Sequence, residues 1–229
     1  MKKYIPFSII TTVVLLASGC SQFNSKTDAT VNKTQIKTAE VANNSQSNDF
    51  PVINMGGKMV KYYDDTSTLV NDSSSAIEGN IVKNKYIIYN EVYFTISTVV
   101  VTDVLESNDN IKVGDKITVL QTGGVFEYKS DPKNKKTFDT EQSMKDGQQF
   151  EVVFEKAPVI KENKKVILFL EKYKGPISCQ YVTSGDFQGR FPVDENTDTV
   201  SPQNKDFKEK FIKTNDLKEK IKKLKKEEQ

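Results

Sequence analysis

Val92-Tyr93-Phe94-Thr95-Ile96-Ser97-Thr98-Val99-Val100-Val101-Thr102-Asp103-Val104-Leu105 is the strongest β-forming run in the chain. β-Branched and aromatic residues fill it, and such side chains suit a pleated, half-buried surface. In its first half Val92, Phe94 and Ile96 alternate with Tyr93, Thr95 and Ser97. That two-residue period is the mark of a half-buried strand.

Working outward, Ser107-Asn-Asp-Asn110 and Lys112-Val-Gly-Asp115 supply turns, and Lys116–Gln121 makes a further strand that stops at Gly123-Gly124. Upstream, Ala76–Val82 leads to Tyr86–Tyr89. Strands resume at Gln149–Phe154, Lys165–Leu170 and Ser178–Val182, and Gly185–Phe191 reads as a turn followed by a short strand. Six to eight short strands separated by turn residues predict a mainly β domain over residues 50–203, a small barrel or sandwich. Asp64–Ser73 predicts one short helix capped by either aspartate. Lys129–Gln148 is a polar excursion too long for an ordinary connection, and such loops carry binding function.

Beyond residue 203 the period changes. Phe207, Phe211, Ile212, Leu217, Ile221 and Leu224 recur among lysines and glutamates, and Thr214-Asn215-Asp216 offers a second helix start. The expectation is two abutting helical pieces, 204–213 and 215–228, forming a Lys-rich amphipathic tail over 204–229. Two placements stay open for its apolar stripe: packed back on the β domain, or lying on an anionic membrane surface.

The N-terminal end is a different kind of sequence. Lys2 and Lys3 precede an apolar run from Ile5 to Leu16 and then small residues, the layout of a secretory signal peptide. The apolar run falls short of the ~20 residues that span a bilayer. Leu16-Ala17-Ser18-Gly19-Cys20 resembles the bacterial lipobox, which implies cleavage after Gly19 and diacylglyceryl transfer to Cys20. Two or more acyl chains hold a protein stably on a membrane. Residues 21–49, rich in Ser, Thr, Asn, Gln and Lys without period, read as a flexible tether. With Cys20 acylated, Cys179 has no partner. It reads either as a small buried hydrophobe or as a reactive thiol.

Charge and residue usage narrow the chemistry. The 33 basic residues include Lys2 and Lys3 of the leader, so 31 remain against 31 acids and the mature chain is formally neutral. Nucleic acid as partner calls for a strongly basic face and is not expected. Arg190 is the sole arginine and histidine is absent. The absence of histidine removes Ser-His and Cys-His nucleophile pairs and the side chain best suited to proton transfer near neutrality. Asp64-Asp65 is the nearest approach to paired catalytic acids. Asp194, Asn196 and Asp198 match the first alternate oxygens of a calcium loop, but Thr199 and Lys205 stand where glycine and a bidentate glutamate belong. No catalytic residue, metal or cofactor is expected.

From Ser67 to Phe191 the chain resembles a group of bacterial secreted proteins and lipoproteins with an OB-like barrel, the barrel shared by metalloproteinase inhibitors and netrin modules. The resemblance rests on Ser75–Val82, on Thr98–Leu105 followed by Val113–Gly124, on Val166–Leu170 and on Phe187–Phe191. It implies a small OB-like barrel or sandwich. It does not bring the inhibitor mechanism, in which a free N-terminal amine pinned by a disulfide meets the protease metal.

The function expected is a membrane-anchored extracellular binding module, monomeric, held by lipid on the outer face of the cell membrane. Its partner would be a protein, peptide or cell-wall ligand, met at Gly123, Gly124, the 129–148 loop and the 185–191 turn with Phe187, Gln188 and Arg190. Two alternatives stay open: an immunity or exclusion lipoprotein using its basic C-terminal helix, and a carboxylate-dependent hydrolase.

Overall fold

The computed structural model describes residues 51–130, 144–209 and 212–227, with the backbone of 37–38. Gly19, Cys20, the leader, the rest of the tether and the centre of the 129–148 loop lie outside the described residues.

The quoted run forms one long strand, and its neighbours close into a barrel around it. In chain order the strands are β1 (Lys37–Thr38), β2 (Val52–Met55), β3 (Ser75–Tyr89), β4 (Val92–Ser107), β5 (Lys116–Thr122), β6 (Gly124–Glu127) and β7 (Gln149–Phe154). They continue with β8 (Lys165–Lys172), β9 (Tyr181–Thr183), β10 (Arg190–Asp194), β11 (Thr199–Val200) and β12 (Ile212–Lys213). The helices are α1 (Thr66–Asp72) and α2 (Thr214–Glu227). The surplus over the six to eight strands expected consists of the short pieces β1, β2, β6, β11 and β12.

Five strands form the barrel in the order β3-β4-β5-β9-β8, and β3 pairs with β8 to close it. All neighbours are antiparallel except β5 and β9, which are parallel. This is the Greek-key order of an OB-like barrel. Asn90 and Glu91 join β3 to β4 with φ of 48° and 64°. A two-residue turn with both φ positive matches the strand twist that a closed barrel needs. Three register shifts along β3 add the curvature.

A second sheet of β2, β7 and β6 packs beside the barrel, with β2 parallel to β7. Phe126, Phe150, Val152 and Ile53 form its core, with Tyr86 and Tyr93 of the barrel against them. Tyr93 and Phe126 meet edge to face at 4.7 Å.

The tail is not a separate unit. Leu217 and Ile221 of α2 and Phe207 are fully buried among Leu69 and Val70 of α1, Phe169 of β8 and Phe191 of β10. The two open placements of the helix thus resolve in favour of packing. Only one helix forms where two were expected. The Asn204 side chain takes the Asp206 N–H and donates to the Tyr63 carbonyl, a local alternative to a helical turn. Ile212 and Lys213 pair with β11 as β12. Among the described residues no helix is long and apolar enough to cross a membrane.

Candidate functional site

The barrel interior has two halves. Ile77, Ile81, Val99, Val101, Ile117, Val119, Val166 and Leu168 fill one with apolar packing. Continuing along the same face of β4, Ser97 and Thr95 are both fully buried. Here the polar side of 92–97 faces in, while Phe94 and Ile96 pack half-buried on an outer cluster with Ile87, Leu120 and Ile177. Alternation identifies two faces but does not say which is covered.

The inward polar side chains satisfy one another. Ser97 Oγ donates to Asn84 Oδ1 at 2.6 Å and accepts from Gln121 Nε2 at 2.6 Å. Asn84 Nδ2 donates to the Ile160 carbonyl, and Gln121 Oε1 accepts the Ile160 N–H at 3.1 Å. Gln121 Oε1 also accepts from Arg190 Nη1 at 3.0 Å. Arg190 is completely buried, and its Nε finds no acceptor among the described residues. The nearest carboxylate is Asp186, 3.4 Å from Nη2. Burial pushes the guanidinium down to about 10 against the opposing pull of Asp186.

Asp186 opens onto a cleft of about 460 Å³, lined also by Met59, Val60, Tyr63, Phe154 and Glu171, with Lys58 and Lys61 on the same segment as Met59. Two buried amides fix that segment. Gln188 Oε1 accepts the Tyr63 N–H at 2.6 Å, and its Nε2 donates to the Lys61 and Gly185 carbonyls. Asn204 Nδ2 holds the Tyr63 carbonyl at 2.7 Å. Burial pushes the Tyr63 hydroxyl up to about 12, with Asp72 and Glu171 adding to it. The Val60 side chain is fully exposed beside these anchored residues.

The residues picked out as a candidate surface lie inside the protein. Arg190 and Gln188 are wholly buried, and Phe187 nearly so. Gly123 and Gly124 are buried where β5 hands over to β6. Gly124 has φ +140°, and a Cβ there would stand 2.5 Å from Thr95 Oγ1 and 2.6 Å from Tyr86. Its role is close approach, not ligand contact. The 185–191 turn does border the cleft, but through Gly185 and Asp186. Met59, Val60, Phe154, Asn84, Ser97 and Gln121 were not singled out by sequence reasoning. The polar pair Thr95 and Ser97 within a β-branched run was the signal for the last three.

Asp194, Asn196 and Asp198 sit at the β10–β11 hairpin, and no three potential metal-ligating side chains gather among the described residues. Asp194 Oδ1 takes the Asn196 N–H at 2.9 Å, which holds its carboxyl low. Asp65 caps α1 by accepting the Thr68 N–H at 2.8 Å, as expected. Asp64 and Asp65 share the Lys208 ammonium at 3.2 and 3.3 Å. Cys179 is half-buried against the outer cluster.

No family model, no curated protein and no solved structure matches this chain.

Proposed function

We propose that the chain is a lipid-anchored extracellular binding module, non-catalytic, whose ligand docks in the cleft between the 58–63 segment and the Gly185–Asp186 turn. The observation that carries this reading is the uncovered Val60 on an anchored segment beside an apolar-lined cleft. Rigid elements that present uncovered apolar groups with a few polar ones describe a recognition site. The leader, Cys20 and the tether region supply the display on the outer face of the membrane. The acid pair Asp64-Asp65 is engaged by Lys208 and by the α1 cap, which weighs against its use as a catalytic dyad.

The test compares native-envelope capture by wild type and by Met59→Asp with Val60→Asp. Loss of the captured component at unchanged thermal stability supports the reading, and equal capture overturns the cleft as the docking site. A Cys20→Ser variant is expected in the medium instead of the membrane fraction.

A further inference from the structure

Three independent features meet at Asp186. The first is its backbone. Gly185 and Asp186 are consecutive left-handed residues, with φ +58° and +55°. A Cβ at Gly185 would collide with Tyr63 and with the Gln188 amide. Glycine is required there, and the non-glycine residue that follows carries the strain. Strained backbone persists where the surroundings over-determine it, and such places cluster at binding sites.

The second feature is the guanidinium beneath. Arg190 is the only arginine in the sequence and has no exposed surface. A buried arginine calls for a bidentate carboxylate, two parallel N–H···O bonds of about 2.8 Å. Its only carboxylate contact among the described residues is one Asp186 oxygen at 3.4 Å, beside the neutral acceptors Gln121 Oε1 at 3.0 Å and the Pro158 carbonyl at 3.4 Å, and Nε has no partner there. The strained turn brings this carboxylate within reach of the guanidinium without the close two-pronged geometry.

The third is access. The Asp186 side chain is about one-fifth exposed, lines the cleft and is the acid beside Arg190. Of the groups bonded to Arg190, Asp186 is the one that also lines the cleft, so it is the group a ligand would have to displace to reach Nη2.

Building on the cleft reading above, we propose that the site takes a ligand bearing a carboxylate beside an apolar body. Its carboxylate replaces Asp186 on Arg190, while the apolar part lies against Met59, Val60 and Phe154. Asp186 is then a built-in competitor that holds the place of the ligand's acid group. The exchange swaps carboxylate for carboxylate, so the buried guanidinium is never left without a counter-charge. A neutral ligand cannot make the swap on those terms, because with Asp186 displaced the arginine would stay buried without a counter-charge. This selects acids over amides and esters of the same shape.

The experiment titrates purified full-length protein with N-acetyl-phenylalanine and with its amide, in wild type and Asp186→Asn. Asparagine tolerates the left-handed backbone, so the turn is retained while the competing charge is removed. Asp186→Asn is expected to bind the acid at least roughly tenfold more tightly than wild type, the scale of one hydrogen bond to a charged group. The amide should gain nothing. Asp186→Asn should also melt below wild type and be raised selectively by the acid. Equal affinity of acid and amide for Asp186→Asn overturns the proposal, as does acid binding no tighter than in wild type. Arg190→Gln should abolish acid binding, and if it does not fold, the acid–amide comparison in Asp186→Asn decides alone. Envelope capture lost in the Met59/Val60 variant with acid and amide bound equally sinks the carboxylate while sparing the cleft. Unchanged capture in that variant removes the cleft reading itself.

Discussion

The Lys218 ammonium lies 2.9 Å from the Asp103 carboxylate, and it also contacts Glu78 of β3. Through this one side chain α2 is fastened to β3 and β4. Lys222 adds a longer contact to Asp103 at 3.5 Å, and Lys165 approaches Glu78 at 3.7 Å.

Lys218→Met is therefore expected to destabilise the protein by roughly 1–3 kcal/mol in urea denaturation, since Glu78 keeps only its distant contact with Lys165. Burial pushes the Asp103 carboxyl up, but the hydrogen bonds and charges of Lys218 and Lys222 outweigh it and leave it below 3.8. A depressed acid stabilises above its unfolded value and loses that contribution as pH falls through the folded one. For Lys218, burial works against the charge, yet Glu78 and Asp103 hold it above 10.5. Its contribution is full below the unfolded value and lost only as pH rises through the higher folded one. The difference in Tm between wild type and variant should thus be flat from about pH 5 to 9 and shrink on acidification below about pH 4. A difference that stays constant to pH 2 contradicts this account.

Ser97→Ala tests the polar half of the barrel. It leaves Asn84 Oδ1 and Gln121 Nε2 each without the partner described above, at a cost of about 1–3 kcal/mol for a hydroxyl of modest size. A double-mutant cycle with Gln121→Leu should show coupling above roughly 0.5 kcal/mol, because both changes act on one network. Additive effects would mean that the hydrogen bonds are energetically separate.

Cys179 should be inert. Burial pushes its thiol from 9.0 up to about 11, which lowers the reactive thiolate about a hundredfold near neutral pH. Alkylation at pH 8, followed by mass spectrometry, is expected to be slow in the native protein and to reach an ordinary rate in urea. Equal rates in both conditions would mark it as an accessible thiol.

The strands and α1 were legible because their signals are local. Alternation and β-branching mark β3, β4, β5, β7 and β8, and Asp65 sits one turn ahead of the amide it caps. What the sequence hid depends on distant partners. The inward face of β4 is settled by Asn84, Gln121 and Arg190, which arrive from three other strands. The parallel pairing of β2 with β7 joins segments about 100 residues apart, and no turn between them announces it. The tail's placement, open between the β domain and a membrane surface, is decided because α1 and β8 present Leu69, Val70 and Phe169 to it. Arg190 looked like a surface cation for the same reason, since its companions Gln121 and Pro158 lie 69 and 32 residues away along the chain.

The contacts between Tyr63 and Asn204 span 141 residues, and α2 completes a core begun by α1. Loops that long close slowly, and β topologies dominated by remote pairings fold in milliseconds to seconds. The barrel interior is filled by residues 77–181 alone, but the core around α1 stays unfinished until Leu217 and Ile221 have emerged. The finished fold is therefore a whole-chain property, and a chain cut before α2 would leave Leu69, Val70 and Phe169 uncovered.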